Sequence, residues 1–196
     1  MRGSHKAQRK DRYLLSPPKG YIMNVNEQRK MMGALKAFDK SEHNVYDNKG
    51  KEALIKHLNK KLSEYGLETI ENPNQYGIDL LTVNKLNKVV HCWEVEVRHG
   101  NWQGDIPFPF REINCIERKD YQWRRDPEFL KKIPLEMADK YKISYVQLNK
   151  ECTRAVIIDS DTILKYTLKQ WANRKATNEY VRQIPISETV QIKIGP

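Results

Sequence analysis

Three carboxylate residues interrupt apolar stretches in the middle of the chain. Asp79 stands within the run 78–83, and Glu94 and Glu96 stand within the run 88–97. A charge inside a strand that is buried on both faces is costly, so each acid needs a compensating partner. Ligands that offer only oxygen suit Mg²⁺ or Mn²⁺ rather than zinc. We therefore expect Asp79 and Glu94 to bind a divalent cation.

The two runs predict a β-hairpin. Both are rich in Val, Ile and Leu, and the polar residues 84–87 lie between them as a four-residue loop. Apolar residues occur at both parities along each run, as in strands that are covered on each face. The acids are therefore expected in central strands of a sheet.

The predicted pairing brings the acids together. When the residues flanking the loop pair with each other, Asp79 lies opposite Cys92, and Glu94 is its diagonal neighbour on the same face. Glu96 and Arg98 continue on that face. A shift by one residue would separate the acids. An alternative is that the acids face outward at a sheet edge and pair with a nearby cation such as Lys88 or Arg98.

The remaining pattern predicts an α/β domain with a mixed β-sheet flanked by helices. The predicted elements are a helix at 49–65, a long loop at 98–126, a short helix at 127–132, strands at 143–149 and 154–159, a helix at 161–175 and a strand at 190–194. The second long helix would begin at Ser160 or Asp161 as N-cap and bury Leu164, Leu168 and Trp171.

The charge distribution favours a polyanionic partner. The 196-residue chain has a net charge of +10, and residues 1–40 hold ten Lys or Arg against three acids. Such an excess favours nucleic acid or an anionic surface. Residues 1–48 are interpreted as a basic N-terminal arm that either follows phosphates or packs on the domain at 49–196. No apolar run is long enough for a membrane span.

The number and spacing of the cysteines indicate the redox environment of the protein. Cys92, Cys115 and Cys152 are scattered and odd in number, which favours a reducing, intracellular environment such as the cytoplasm over a disulfide framework.

A helix followed by Gly77-x-Asp79 and then Glu94-x-Glu96 resembles the PD-(D/E)XK nuclease superfamily, over roughly residues 49–100 and more loosely beyond. The resemblance implies a restriction-endonuclease-like core, a metal ion (Mg²⁺ or Mn²⁺) on Asp79 and Glu94, and hydrolysis of DNA phosphodiesters. The third position of the motif is usually Lys, and here Glu96 occupies it. In an alternative alignment to the motif, Glu96 fills the second position and Arg98 fills the third. Ile78 replaces the usual proline.

Family members often add an acid from the preceding helix, and Glu52 is the candidate. It lies at the edge of the predicted buried face, and an ordinary solvated helix-start residue is equally compatible with the sequence.

Several residues after the carboxylate strand are candidates for nucleic-acid binding. Cations that alternate with aromatic rings can neutralise phosphates and stack on bases. The candidates are Asn101, Gln103, Arg118, Lys119, Arg124 and Arg125. For the cationic stretch, a solvated surface over packed rings is an equal alternative.

Two functions follow from these observations. The first is a Mg²⁺-dependent deoxyribonuclease of the homing, phage, restriction or junction type, in which a homodimer would supply two sites for two strands. The second is a non-catalytic DNA-binding protein on a degraded nuclease fold. An RNA-processing nuclease is a further alternative.

Overall fold

The computed structural model describes residues 40–98, 100–173 and 176–195. Residues 1–39 of the predicted arm therefore lie outside the described residues. The first helix begins at Lys40, so the last nine residues assigned to the arm by sequence belong to this helix instead.

The described chain contains a long first helix, nine strands and three short helices. The helices are α1 Lys40–Leu62, α2 Asp120–Trp123, α3 Pro127–Leu130 and α4 Ser160–Leu164. The strands are β1 Glu68–Glu71, β2 Leu80–Val83, β3 Val89–Arg98, β4 Glu112–Ile116, β5 Met137–Asn149, β6 Arg154–Asp159, β7 Leu168–Asn173, β8 Ala176–Pro185 and β9 Val190–Lys193. Short 3-10 turns follow α1, β4 and β8 at Ser63–Tyr65, Glu117–Lys119 and Ile186–Glu188.

The main sheet is mixed, as predicted. Its strand order is β1-β2-β3-β5-β6-β9, with β3 and β5 parallel and all other neighbours antiparallel. A parallel pair requires a long crossover connection. The connection from β3 to β5 carries β4, α2 and α3, so it returns over the sheet and brings further side chains to it.

Helix α1 covers one face of this sheet. Its Leu54 and Leu58 pack with Trp93, Val95 and Val97 of β3 in one buried cluster. The predicted helix at 49–65 is confirmed, and it ends where Gly66 adopts a left-handed φ of 67°.

The opposite face is covered by a second sheet and the short helices. The second sheet has the order β4-β8-β7. Ile113 of β4, Ile184 of β8 and Trp123 of α2 share a buried cluster with Cys92 and Tyr145 of the main sheet. The predicted burial of both faces is confirmed, and alternation along β3 directs Glu94 and Glu96 to this second layer.

The predicted helix at 161–175 is wrong. Helix α4 ends at Leu164, and Leu168–Asn173 form strand β7. Asp159, rather than Ser160 or Asp161, caps the helix by accepting a hydrogen bond of 2.8 Å from Thr162 N–H. The spacing of Leu164, Leu168 and Trp171 is typical of a helix, but the segment pairs with β8 and forms a strand. Local periodicity contains no information about this pairing.

Strands β1, β4 and β8 were missed as well. Strand β4 lies inside the stretch 98–126, which the sequence predicted to be a long loop. Among the helices that the structure describes, none has both the length and the apolar character of a membrane span.

Candidate functional site

The hairpin of β2 and β3 forms, but its register differs by two residues from the predicted one. Cys92 lies opposite Leu81 rather than Asp79, and Leu80 lies opposite Trp93. Asp79 immediately precedes β2, and its Oδ2 accepts a hydrogen bond from Val95 N–H, so this acid lies beside Glu94. The shift is an even number, so the predicted common face of the acids is retained.

The hairpin loop explains the shift. Asn84 N–H donates to Lys88 O, and the Asn84 side chain accepts from Leu86 N–H and Lys88 N–H at 3.0 Å each. Asn87 adopts a left-handed φ of 58°. Because the loop closes on Lys88, Val83 pairs with Val89 and a bulge follows between positions 82 and 83.

A tight loop holds Asp79 at the start of β2. Asn72 N–H donates to Asp79 O at 2.9 Å, and Asn72 Nδ2 donates to Ile78 O at 2.9 Å. Gly77 packs so closely that an added Cβ would lie 2.5 Å from Asn72 Nδ2 and 2.8 Å from Lys132 O. The glycine of the Gly-x-Asp pattern is therefore required by close approach of the backbone.

The Asp79 carboxylate is largely buried and faces Glu94. Asp79 Oδ2 accepts a hydrogen bond of 2.8 Å from Val95 N–H. Burial and then the Glu94 charge raise the pKa of Asp79 to about 7, although the Val95 N–H, Lys119 and Lys51 act in the opposite direction. Two carboxylates in one buried place disfavour joint ionisation, and a cation relieves that repulsion.

Glu94 is a buried acid in the interior strand β3. Its side chain is 9% exposed, and both oxygens have partners, Lys119 Nζ on Oε1 and Gln122 Nε2 on Oε2 at 3.0 Å. Lys119 closes the 3-10 turn after β4, and Gln122 lies on α2. The crossover connection thus supplies the partners of the strand acid.

Glu96 is half-buried and is oriented by a chain of hydrogen bonds. Tyr145 Oη donates to Glu96 Oε2 at 2.6 Å, and Gln147 Nε2 donates to Tyr145 Oη at 2.7 Å. Burial and then Glu96 raise the pKa of Tyr145 well above its ordinary value, so the phenol stays protonated and keeps donating.

Lys119 lies among the three acids. We define the carboxylate cluster as Asp79, Glu94, Glu96 and Lys119. Burial would lower the pKa of Lys119, but the charges of Glu94, Glu96 and Asp79 raise it above its ordinary value. The ammonium is therefore charged at neutral pH. Sequence reasoning placed Lys119 among residues that bind nucleic acid, and the structure brings it to the acids.

The structure does not bring Glu52 to the cluster. Glu52 is exposed on α1, and α1 packs on the sheet face opposite to that of the acids. The neighbouring Lys51 reaches the site instead, where it pairs with Glu71 and lines a cavity of about 350 Å³ together with Asp79. A helix-wheel argument could not find Lys51, because its contact with Glu71 joins residues of α1 and β1 that local periodicity does not relate.

Arg98 lies beyond the cluster on the same strand. Its guanidinium lies 5.7 Å and 5.5 Å from the ring centres of Phe108 and Phe110. The alternative partners proposed for outward-facing acids are engaged elsewhere, since Lys88 pairs with Glu136 at 2.8 Å.

The other predicted contact residues lie at the surface. Asn101, Gln103 and Arg118 are exposed, and Asn101 lines a second cavity that also includes Glu96 and Arg98. Two further cations are in ion pairs: Arg124 lies 3.4 Å from Asp120, and Arg125 lies 3.3 Å from Asp161.

The donor set of the cluster fits a hard divalent cation. Within the described ranges, no group of three or more His, Cys, Asp or Glu residues is arranged to hold a metal. Mg²⁺, however, needs only one or two carboxylates and keeps several waters. Gln122, which bonds to Glu94, and Gln147, which bonds to Tyr145, each have a buried side-chain oxygen with no partner among the described residues, and buried polar atoms of this kind are commonly satisfied by water.

Comparisons of the chain with family models, curated proteins and solved structures find no match.

Proposed function

We propose that this protein is an endonuclease that hydrolyses DNA phosphodiester bonds with a divalent cation, on a restriction-endonuclease-like core. One observation carries the proposal: the partly buried Asp79, just before β2, lies beside the buried Glu94 of β3, and burial and the Glu94 charge raise the pKa of Asp79 to about 7. Two neighbouring carboxylates disfavour joint ionisation, and a pKa shift of this kind is typical of functional sites.

Asp79 and Glu94 would hold Mg²⁺ or Mn²⁺, which supplies charge stabilisation at the phosphate when bound. Glu96 is a half-buried acid that lines the larger cavity, and the hydrogen bond from Tyr145 fixes one of its oxygens. In the proposal, Glu96 accepts a proton from the attacking water, and Lys119 stabilises the negative charge that develops on the phosphoryl oxygens. Lys119 would thus do what a lysine at the position of Glu96 does in the resembled family.

Two features support DNA as the substrate. The resembled superfamily implies it, and the net charge of +10 favours a polyanion. A homodimer is part of the proposal for duplex or junction substrates, since two strands need two sites.

The first experiment measures cleavage of a panel that contains supercoiled plasmid, a four-way junction, single-stranded DNA and RNA, each with Mg²⁺, Mn²⁺ or EDTA. We expect cleavage of DNA with either metal and none in EDTA. Asp79→Asn keeps the side-chain volume and removes a ligand charge, so we expect a loss of at least about a thousandfold in rate.

Asp105→Asn is the matched control. Asp105 is an exposed acid that pairs with Arg154 and Lys193 at 2.5 Å and 3.1 Å, so its loss is expected to leave cleavage within about twofold of the wild type. Full activity of Asp79→Asn, or cleavage in EDTA, contradicts the proposal.

A second candidate function is DNA binding without catalysis. The favouring observation is that both oxygens of Glu94 already have protein partners, Lys119 and Gln122. In that case the cluster is a satisfied ion network, and DNA binds with equal affinity in Mg²⁺ and EDTA with no cut product. Calorimetric titration of the protein with Mn²⁺ separates the two functions, since the nuclease binds the metal and Asp79→Asn does not.

A further inference from the structure

A cleft of about 660 Å³ opens beside the carboxylate cluster. Its lining includes Glu96, Arg98, Arg111, Asn114, Trp171 and Gln183. The volume falls in the range of about 300–1,000 Å³ that is typical of small-ligand sites. Because Glu96 belongs to both, a molecule in the cleft would lie next to the proposed reaction centre.

The second sheet presents a polar face to the cleft. Ile113, Cys115 and Ile184 point into the core and are buried. By alternation, Asn114 of β4 and its paired residue Gln183 of β8 point the other way and line the cleft. In the part of the chain that the structure describes, neither amide has a hydrogen-bond partner. Two neighbouring free amides suit the edge of a nucleobase, which offers both donors and acceptors.

An aromatic surface lies beside the amides. Trp171 of β7 is half-buried and lines the cleft, whereas Trp93, Trp102 and Trp123 are buried in the core. A partly exposed indole next to unpartnered amides is the arrangement that single-stranded nucleic-acid sites use for stacking.

Two cations lie at the cleft. Arg98 is held over the Phe108 and Phe110 rings, and Arg111 is exposed beside them. Guanidinium groups suit phosphate oxygens in a planar, two-pronged geometry. Glu112 is an exposed acid of the same lining, and it disfavours a purely electrostatic ligand such as a free polyphosphate.

We propose that the cleft holds one unpaired nucleotide next to the scissile phosphate. Its base stacks on Trp171 and hydrogen-bonds with Asn114 and Gln183, and its phosphates contact Arg98 and Arg111. The inference rests on the proposed nuclease function and sharpens it: the substrate is DNA with unpaired nucleotides, such as a single strand, a flap or a junction, in preference to continuous duplex.

The test measures binding apart from cleavage. Intrinsic tryptophan fluorescence is titrated in EDTA with a short oligothymidylate and with a duplex hairpin of equal length. We expect quenching by the single strand, and no signal change in Trp171→Phe, which removes the reporter and keeps an aromatic ring. Trp171→Ala, followed by anisotropy of a labelled oligonucleotide, is expected to weaken binding about tenfold.

Tyr180→Ala is the matched control. Tyr180 is an exposed aromatic residue of the same sheet whose position alternates away from the cleft, so binding is expected to stay within about twofold of the wild type. Equal affinity of Trp171→Ala and the wild type, or tighter binding of the duplex, overturns the proposal. Quenching without any cleavage in Mg²⁺ refutes the nuclease and leaves the nucleotide cleft standing.

The amides have their own test. We expect the wild type to distinguish homo-oligonucleotides of different bases by at least about fivefold in Kd. The double variant Asn114→Ala/Gln183→Ala should bind them all within about twofold. An unchanged base preference in this variant overturns the assignment of the amides to the base.

Discussion

Lys119 and Asp120 are neighbours in sequence, yet they belong to two buried charge clusters of different composition. Asp120 pairs with Arg182 through two hydrogen bonds, from Nε at 3.1 Å and from Nη2 at 2.5 Å. Arg182 also donates to Tyr166 O. This ion pair has one anion and one principal cation in a two-pronged geometry, which is how a buried charge pair is stabilised.

The carboxylate cluster is unbalanced in comparison. Lys119 faces three acids, Asp79, Glu94 and Glu96. Lys51 adds a weaker positive charge at Asp79, and the remaining contacts come from neutral donors. Burial and the Glu94 charge raise the pKa of Asp79 to about 7. The Asp120–Arg182 pair is complete within the protein, whereas the cluster has an excess of negative charge that an external cation would neutralise.

The largest expected effect separates activity from stability in the cluster. Glu94→Gln removes a proposed metal ligand, and we expect the cleavage rate to fall at least about a thousandfold. The free energy of unfolding should change by less than about 1 kcal/mol, because removing one acid also reduces repulsion with Asp79. Urea unfolding and cleavage assays on the same preparation measure both.

If Glu94→Gln lowers the free energy of unfolding as much as a break in the Asp120–Arg182 pair does, Glu94 is a structural partner of Lys119. The comparison between the two clusters then fails.

The second prediction concerns the balanced pair. Among the described residues, Arg182→Met leaves the buried Asp120 with the exposed Arg124 at 3.4 Å as its ion-pair partner, so we expect a loss of about 3 kcal/mol in the free energy of unfolding. Lys131→Met is the control, because Lys131 and Glu128 form an exposed pair, and its loss should change the free energy by less than about 0.5 kcal/mol. Equal stability of the two variants contradicts a structural role for Arg182.

The third prediction tests whether the carboxylate cluster binds a cation that neutralises its excess negative charge. At a free Mg²⁺ concentration of about 100 times the Kd, binding should stabilise the folded protein by about 2.7 kcal/mol. Thermal unfolding with Mg²⁺ or EDTA measures this shift. It should vanish in Asp79→Asn and persist in Asp105→Asn. A shift of equal size in both variants places the cation elsewhere on the protein.

The central hairpin could be predicted because its signals are local. Asp79, Glu94 and Glu96 stand out as charges within apolar runs. Strand alternation assigns them to one face of the sheet, and a register shift of two residues does not change that face. The register itself could not be predicted. It depends on how the Asn84 side chain closes the loop and on a bulge beside Val83.

The second sheet and the cation of the site could not be predicted from local patterns. Leu164, Leu168 and Trp171 satisfy helical spacing, but pairing of β7 with β8 converts the last two into strand residues. Lys119 reaches Glu94 only because the crossover between β3 and β5 passes over the sheet. Both outcomes depend on contacts between residues far apart in sequence, which periodicity does not contain.

The smallest expected effect concerns the pH dependence of stability in the metal-free protein. The pKa of Asp79 is raised to about 7 in the folded state, above its ordinary value of 3.8. The folded protein therefore binds a proton more tightly than the unfolded chain does between these values. The contribution to stability is fully present below pH 3.8 and is lost as the pH rises towards 7.

The difference in free energy of unfolding between the wild type and Asp79→Asn isolates this contribution. We expect the wild type to lose on the order of 2 kcal/mol relative to the variant between pH 5 and pH 7, measured in EDTA. Burial lowers the pKa of His91 to about 4, so His91 acts with the opposite sign over part of this window, but it is present in both proteins and cancels. A pH-independent difference would mean that Asp79 is ionised throughout and already has a sufficient partner in Lys119, Lys51 or the Val95 N–H, as Asp120 has in Arg182. The cluster would then be a second balanced network, and the case for a bound cation would be lost.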